Sequence, residues 1–200
     1  MNKREYFDGL ACRWDSLPAA PGAGEAAARF VERMALGEAR CVLDVGCGTG
    51  ILVPHLRRVL PAAARTLQMD FSLQMLREGL RTRAVPGLMT LCGDARKIPL
   101  AAGSVDAVLC YGIVPHLGDI ASAACELLRV LRAGGSLGVG HAMDSAALNA
   151  LHAGFGGAVA GDVLPPAAVL AEILRAAGAY PVAVEESPGW YFVRVTNGAS

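Results

Sequence analysis

Three carboxylates and three glycines carry the most specific chemical signal in the chain. Residues 41–50 read CVLDVGCGTG: an apolar run of Val42, Leu43 and Val45 interrupted by Asp44, then Gly46, Gly48 and Gly50 at alternate positions. A buried strand that breaks into a Gly-rich turn and re-emerges as a helix leaves backbone N–H groups free at the carboxyl edge of a sheet. Glycine suits such a turn because it tolerates positive φ and has no Cβ to hold a ligand off the backbone. The pattern reads as a site for a nucleotide-type cofactor. Asp70 ends the next predicted strand, where the two acceptor oxygens of a carboxylate match the two hydroxyls of a ribose. Asp94 ends the strand after that and is placed to accept from an adenine amino group.

The glycine spacing narrows the cofactor. Dinucleotide folds want GxGxxG, with the third glycine on the helix. This chain has GxGxG, and an acid precedes the first glycine by two residues. A pyrophosphate disfavours Asp44 nearby, whereas a sulfonium cofactor with an α-amino group favours it. A charge inside a strand is awkward unless it meets a cation or a ring of donors.

The four histidines are His55, His116, His141 and His152. His55 falls in the helix after the Gly-rich turn and reads as structural or surface. His116 follows the fourth predicted strand and His141 ends the fifth, so both reach the carboxyl edge where ligands bind in parallel sheets. His152 lies in the irregular segment beyond, with Asp144 and Asp162 in the same region. Three readings stand open: a catalytic base with an orienting carboxylate, a metal site of two histidines with Asp144 or Asp162, and plain pocket lining. Asp162, before Val163-Leu164-Pro165-Pro166, reads best as a loop holder. Phe155 is a candidate apolar wall for an acceptor, and Cys110, without a basic neighbour in sequence, reads as buried wall.

The elements that position these residues alternate. Predicted strands cover 41–45, 65–69, 88–92, 105–111 and 136–140, with helices over 25–36, 51–60, 73–79, 120–131, 145–153 and 167–177 between and after them. Residues 181–185 and 190–195, joined by Ser187-Pro188-Gly189, predict an antiparallel hairpin. This is an α/β sandwich on a mostly parallel sheet. Ahead of it, residues 2–17 put Phe7, Leu10, Ala11 and Trp14 on one side of a helix, and PAAPGAG at 18–24 predicts a linker. That helix, with Tyr6 and Trp14, is either a lid over the site or a helix docked outside the sheet. The division is thus 1–24, cap helix and linker, and 25–200, one catalytic-type domain.

Composition sets the outer bounds. The 200 residues are 54% apolar and 18% charged, with 18 Lys plus Arg against 18 Asp plus Glu. A chain this size builds one domain with a large core. Its balanced charge argues against a face made for nucleic acid, and pairs such as Arg57-Arg58 and Arg96-Lys97 read as solvated surface. The six cysteines form no CxxC pair, which removes a zinc knot or dithiol motif and makes a reducing cytoplasm the simplest setting. MNKREYF has no apolar run behind it, so no leader is expected, and the longest uncharged stretch, 145–161, is too short and broken for a membrane span.

CVLDVGCGTG, Asp70, Gly93-Asp94-Ala95 and VDAVLCYGIVPHL at 105–117 together resemble the class I S-adenosylmethionine-dependent methyltransferases, most closely the UbiE-like or type 11 small-molecule branch. The likeness covers about Glu25 to Gly140, and the closing helix and hairpin match the family's ending. It implies a Rossmann-like three-layer sandwich with a seven-stranded sheet of order 3-2-1-4-5-7-6. It implies S-adenosylmethionine as cofactor: Asp44, Gly46 and Gly48 around the methionine part, Asp70 on the ribose with Phe71 beside the adenine, Asp94 and Ala95 at the adenine edge, and Cys110 and Tyr111 on the inner wall. Tyr6 and Trp14 would cap the pocket. One departure is Ala101-Ala102-Gly103, where many members carry an aromatic residue.

These features predict methyl transfer to a small molecule by a monomer or homodimer, with no membrane and no nucleic-acid partner. An RNA or protein methyltransferase is the alternative; Cys110-Tyr111-Gly112-Ile113 stands where base-amino methylases carry an Asn-Pro-Pro-Tyr-like segment. A nicotinamide oxidoreductase is disfavoured by the glycine spacing and Asp44. A non-catalytic cofactor-binding partner is disfavoured by the intact loop and both aspartates.

Overall fold

The structure is a computed structural model that describes residues 2–18, 20 and 22–198; Ala19 and Pro21 of the expected linker lie outside the described residues. Seven strands form one sheet in the order β3-β2-β1-β4-β5-β7-β6. β1 (Cys41–Val45), β2 (Arg65–Asp70), β3 (Leu88–Cys92), β4 (Val105–Tyr111) and β5 (Leu131–His141) run parallel. β6 (Ala179–Ser187) and β7 (Trp190–Asn197) close the sheet as an antiparallel hairpin, with β7 inserted beside β5. The sandwich, the strand order and the hairpin are as the sequence predicts.

Helices cover both faces. One core joins Leu43, Val45, Val108, Leu137 and Val193 to α5 (Ile120–Val130) and α7 (Ala167–Ala176). The other sets Val42, Leu109 and Phe192 against α2 (Ala23–Arg33) and α3 (Val53–Val59). Each of these side chains is wholly withdrawn from water, worth about 1.5–3 kcal/mol apiece. β5 carries glycine at the two positions facing α2. A Cβ on Gly138 would lie 2.1 Å from Met34 Sδ, and one on Gly140 2.3 Å from the Phe30 ring. The helix reaches the sheet only because those side chains are missing.

Three element ends differ from expectation. α4 (Leu73–Arg83) continues through Gly79, where the sequence pattern stops it. Gly79 is helical, and a Cβ there would stand 3.0 Å from the Thr49 carbonyl, so this glycine admits the turn after β1 rather than ending a helix. β5 begins at Leu131, five residues early, because a bulge opposite Val105–Ala107 absorbs Arg132–Gly135. The single N-terminal helix is α1 (Lys3–Leu10) followed by a tighter 3-10 stretch, Ala11–Ser16. Asn2 and Glu5 form a capping box at its start.

The N-terminal segment lies across the carboxyl edge of the sheet. Phe7, Ala11, Met75 and Val159 make a small separate core, flanked by Tyr6, Trp14 and Phe71. It packs against the start of α4 and the turn after β1, with Lys3 at the cavity wall.

Candidate active site

β1 delivers the chain into a turn that only glycine can make. Gly46 and Gly48 have φ of +67° and +55°, and a Cβ on Gly46 would fall 2.4 Å from Ile113 Cγ1. Gly46 and Cys47 donate their N–H groups to the Met69 carbonyl at 2.7 and 3.1 Å, which fastens the turn to β2. Asp70, the last residue of β2, then takes the Gly48 N–H on one oxygen and the Ser72 N–H on the other, each at 2.8 Å. Burial raises its carboxyl above the ordinary range, opposed by those two N–H groups. A cavity of about 250 Å³ opens here, bounded by Gly46, Asp70, Phe71, Ala95, His116 and Lys3.

Asp94 also faces this cavity, together with Arg96. Arg96 grips its carboxylate with side-chain contacts of 2.6 and 3.0 Å, and this pairing holds Asp94 below the usual carboxylate range. Asp44 sits beneath the turn, 1% exposed, with Gln68 Nε2 donating to it at 2.9 Å. Parallel register sets Asp44 directly against Gln68. Burial pushes Asp44 up to about 7, with the Asp70 charge adding and the Gln68 bond opposing. The ring of donors that a buried acid requires is here one amide.

Cys110 and Tyr111 turn to opposite faces of β4, as successive strand residues must. Cys110 is buried in the core with α5 and α7, where desolvation raises its thiol. Tyr111 donates its hydroxyl to the Ala23 carbonyl at 3.4 Å and packs its ring against Phe30. Neither lines the cavity; Ile113 forms that part of the wall in their place.

The N-terminal segment is pinned at three points. Asp8 accepts from Ser72 Oγ at 2.6 Å, beside Asp70. Asp15 accepts from Thr49 Oγ1 at 2.6 Å and from Arg83 at 2.6 Å. Lys3 pairs with Asp162 and donates to the His116 carbonyl at 3.1 Å. Phe7 is the centre of the aromatic cluster, its ring within 6 Å of Tyr6, Trp14, Phe71 and His116. Trp14 Nε1 stands over Gly48. Phe155 is 45% exposed, with its ring 6.4 Å from His152. Of the candidates for a substrate pocket, Tyr6 and Trp14 flank the small Phe7 core, Phe155 sits at the surface, and none of the three lines the cavity.

The three edge histidines converge. His116 and His152 have ring centroids 5.4 Å apart, and His141 is lowered to about 4, chiefly by burial and further by the proximity of those two rings. Asp162 contacts His116 through its side chain and His152 through its carbonyl, so it does more than hold a loop. Asp144 is instead the N-cap of α6 (Ser145–Gly154), accepting from the Ala147 N–H at 3.0 Å. Among the described residues no group of three or more His, Cys, Asp or Glu is set to hold a metal ion. Lys3 and Gln68 escaped the sequence reading. Gln68 had a signal, as the strand-two residue level with Asp44; Lys3 had none, since its partner is far along the chain.

A strand order of 3-2-1-4-5-7-6 with a glycine turn after β1, an acid ending β2 and another two residues past β3 defines a Rossmann-like methyltransferase fold. Residues 43–139 match the family model described as a methyltransferase domain. A demethylmenaquinone methyltransferase of Thermobifida fusca is 33% identical over 137 residues, 66% of this chain and 57% of that protein. The ubiquinone/menaquinone biosynthesis C-methyltransferase UbiE of Desulfotalea psychrophila is 34% identical over 135 residues, 66% and 54%. The chain covers about half the length of these curated relatives. A methyltransferase solved in complex with the Haloferax volcanii Trm112 activator has the same fold, with a TM-score of 0.80 and 18% identity over 96% of this chain and 98% of that one. Residues 43–139 thus form a methyltransferase domain of the class I S-adenosylmethionine-dependent type, related to the UbiE and type 11 branch.

Proposed function

We propose that this chain methylates a small molecule, with S-adenosylmethionine bound across the carboxyl ends of β1, β2 and β3. The observation that carries the reading is Asp70. Each of its oxygens accepts one backbone N–H, which leaves each a lone pair, and the carboxylate borders the cavity. A ribose diol has two O–H groups to give to such a carboxylate. Of the charged groups in the lining, Asp94 is paired with Arg96 and Lys3 with Asp162, so Asp70 is the carboxylate left to meet a polyhydroxylated ligand. Phe71 and Ala95 would flank the adenine, with Gly46 and Gly48 letting the methionine part approach the backbone. Bound there, the cofactor supplies an electrophilic methyl group on a sulfonium.

The chain's own residues bind, orient and exclude water. Lys3 brings the N-terminal segment to the cavity wall, and the Asp8–Ser72 and Asp15–Thr49 contacts tie that segment to the loops that would hold the cofactor. The equal counts of acidic and basic residues favour a small acceptor over nucleic acid. No helix among the described residues is long and apolar enough to cross a membrane; together with six free cysteines this supports a cytoplasmic setting.

Calorimetry with S-adenosylhomocysteine tests the reading. Wild-type protein should bind it, and Asp70→Ala should lose at least about tenfold in affinity, the worth of one hydrogen bond to a charged group. Absence of binding to wild type overturns the reading, and equal binding to both proteins removes Asp70 from the site.

A further inference from the structure

The histidines at the rim differ in where their neighbours put the proton. His116 Nδ1 lies 2.5 Å from Asp162 Oδ2. A carboxylate only accepts, so Nδ1 carries the proton and Nε2 keeps its lone pair. His152 likewise gives its Nδ1–H to the Asp162 carbonyl at 2.9 Å. His141 is reversed: the Met143 N–H donates to its Nδ1 at 3.1 Å, which leaves the proton on Nε2. Of these rings, His116 is the one that borders the cavity.

Asp162 is 7% exposed and is held from both sides, by His116 on one oxygen and by Lys3 on the other. Lys3 also holds the His116 backbone through its carbonyl. The charged and titratable groups facing His116 are Lys3 from α1, Asp162 from the segment after the 157–159 turn, His152 from α6 and His141 at the end of β5. Phe7 closes the remaining side with its ring at 5.2 Å. Burial is the largest influence on His116 and lowers it, while Asp162 works the other way. The ring is therefore neutral at pH 7, as a proton acceptor must be.

We propose, building on the methyltransferase reading, that His116 Nε2 receives the proton of the acceptor, that Asp162 and Lys3 are its positioning residues, and that the acceptor is a neutral small molecule with an acidic hydroxyl, a phenol or an enol. A carboxylate acceptor arrives without a proton to give. An ammonium acceptor adds a cation beside Lys3 and Arg96, which both line the cavity. An aliphatic hydroxyl is too weak an acid for a ring of lowered basicity. In the step, an oxygen lone pair forms the new O–CH3 bond while the C–S bond breaks and its electron pair stays on sulfur. The hydroxyl proton passes to Nε2 and afterwards to solvent. The resulting imidazolium faces Asp162, whose position Lys3 fixes from α1.

Imidazole nitrogen NMR on the ligand-free, 15N-labelled full chain tests this without a substrate. Wild-type His116 should appear protonated on Nδ1. Asp162→Asn should lose that tautomer and lower the titration midpoint by about one pH unit, Asp162→Glu should restore both, and Lys3→Met should raise the midpoint. S-adenosylhomocysteine affinity of the wild-type chain, measured separately, tests the methyltransferase reading on its own. A wild-type ring protonated on Nε2, or a tautomer indifferent to Asp162→Asn, overturns the proposal while the homocysteine binding leaves the methyltransferase reading standing. For acceptor class, 4-methylphenol, 4-methylbenzylamine and 4-methylbenzoate serve as matched probes, neutral hydroxyl, ammonium and carboxylate in turn. Turnover of 4-methylphenol, cut about 10²–10⁴-fold in His116→Gln, is expected. Turnover of either other probe in its place, or of none, overturns the acceptor class.

Discussion

Replacing Asp44 with asparagine should stabilise the protein, and more so as pH rises. The carboxyl is fully buried, and burial lifts it from an ordinary 3.8 to about 7. A carboxyl raised in the folded state contributes its stability below its unfolded value and loses it as pH climbs through the folded value. The unfolded chain releases this proton near pH 4, and the folded chain only near pH 7. Keeping the proton across that interval costs about 4 kcal/mol in all, at about 1.4 kcal/mol per pH unit. About 3 kcal/mol of it falls between pH 5 and pH 8. Asparagine has no proton to lose and keeps a carbonyl oxygen for Gln68 Nε2, which donates to Asp44 Oδ2 at 2.9 Å. Urea unfolding of both proteins at pH 5 and pH 8 gives four free energies. Other titrating groups are common to both, so the difference of differences isolates position 44. A gap that widens by about 3 kcal/mol toward pH 8 is expected. Parallel pH dependence in the two proteins would show that Asp44 is not held protonated, and the reasoning would fail.

Gly140→Ala should cost more than Gly138→Ala, because the first methyl meets the Phe30 ring and the second a methionine thioether that can swing aside. Overpacking of about 1–3 kcal/mol is expected at 140 and less at 138; thermal midpoints check the order, and equal midpoints refute it. His141 is depressed to about 4, chiefly by burial. Its stability is present above pH 6.5 and is lost as pH falls toward 4, since the unfolded chain takes up the proton first. His141→Gln should therefore flatten the acid side of the stability profile between those values. An acid limb as steep as wild type's would show that the ring does not contribute.

Much of the fold was legible because its signals are local. β1, β3 and β4 follow from apolar runs ending in Gly or Asp, and the hairpin from a Ser-Pro-Gly turn. What failed to show was anything set by a distant neighbour. Gly79 reads as a helix stop until Thr49 is seen lying against it. Leu131 reads as the end of a helix until the bulge pairs it with Val105. Within the site, Asp70 and the glycines announce themselves by position in a strand-turn-helix unit. Tyr111 has the same strand-end signal, yet its hydroxyl finds a carbonyl on the far face. The meeting of His116 with Asp162 and Lys3 spans 46 and 113 residues, and no local pattern encodes that.

The N-terminal segment is fastened at Lys3, Asp8 and Asp15, and each fastening lands on a different stretch of the rim. Ser72 follows Asp70, Thr49 lies in the glycine turn after β1, and Asp162 faces His116. Freeing the segment requires all three contacts to break, since releasing one clasp leaves the other two in place. Three stretches that lie far apart in the chain are thereby strapped together by its first two turns of helix and the tighter stretch that follows.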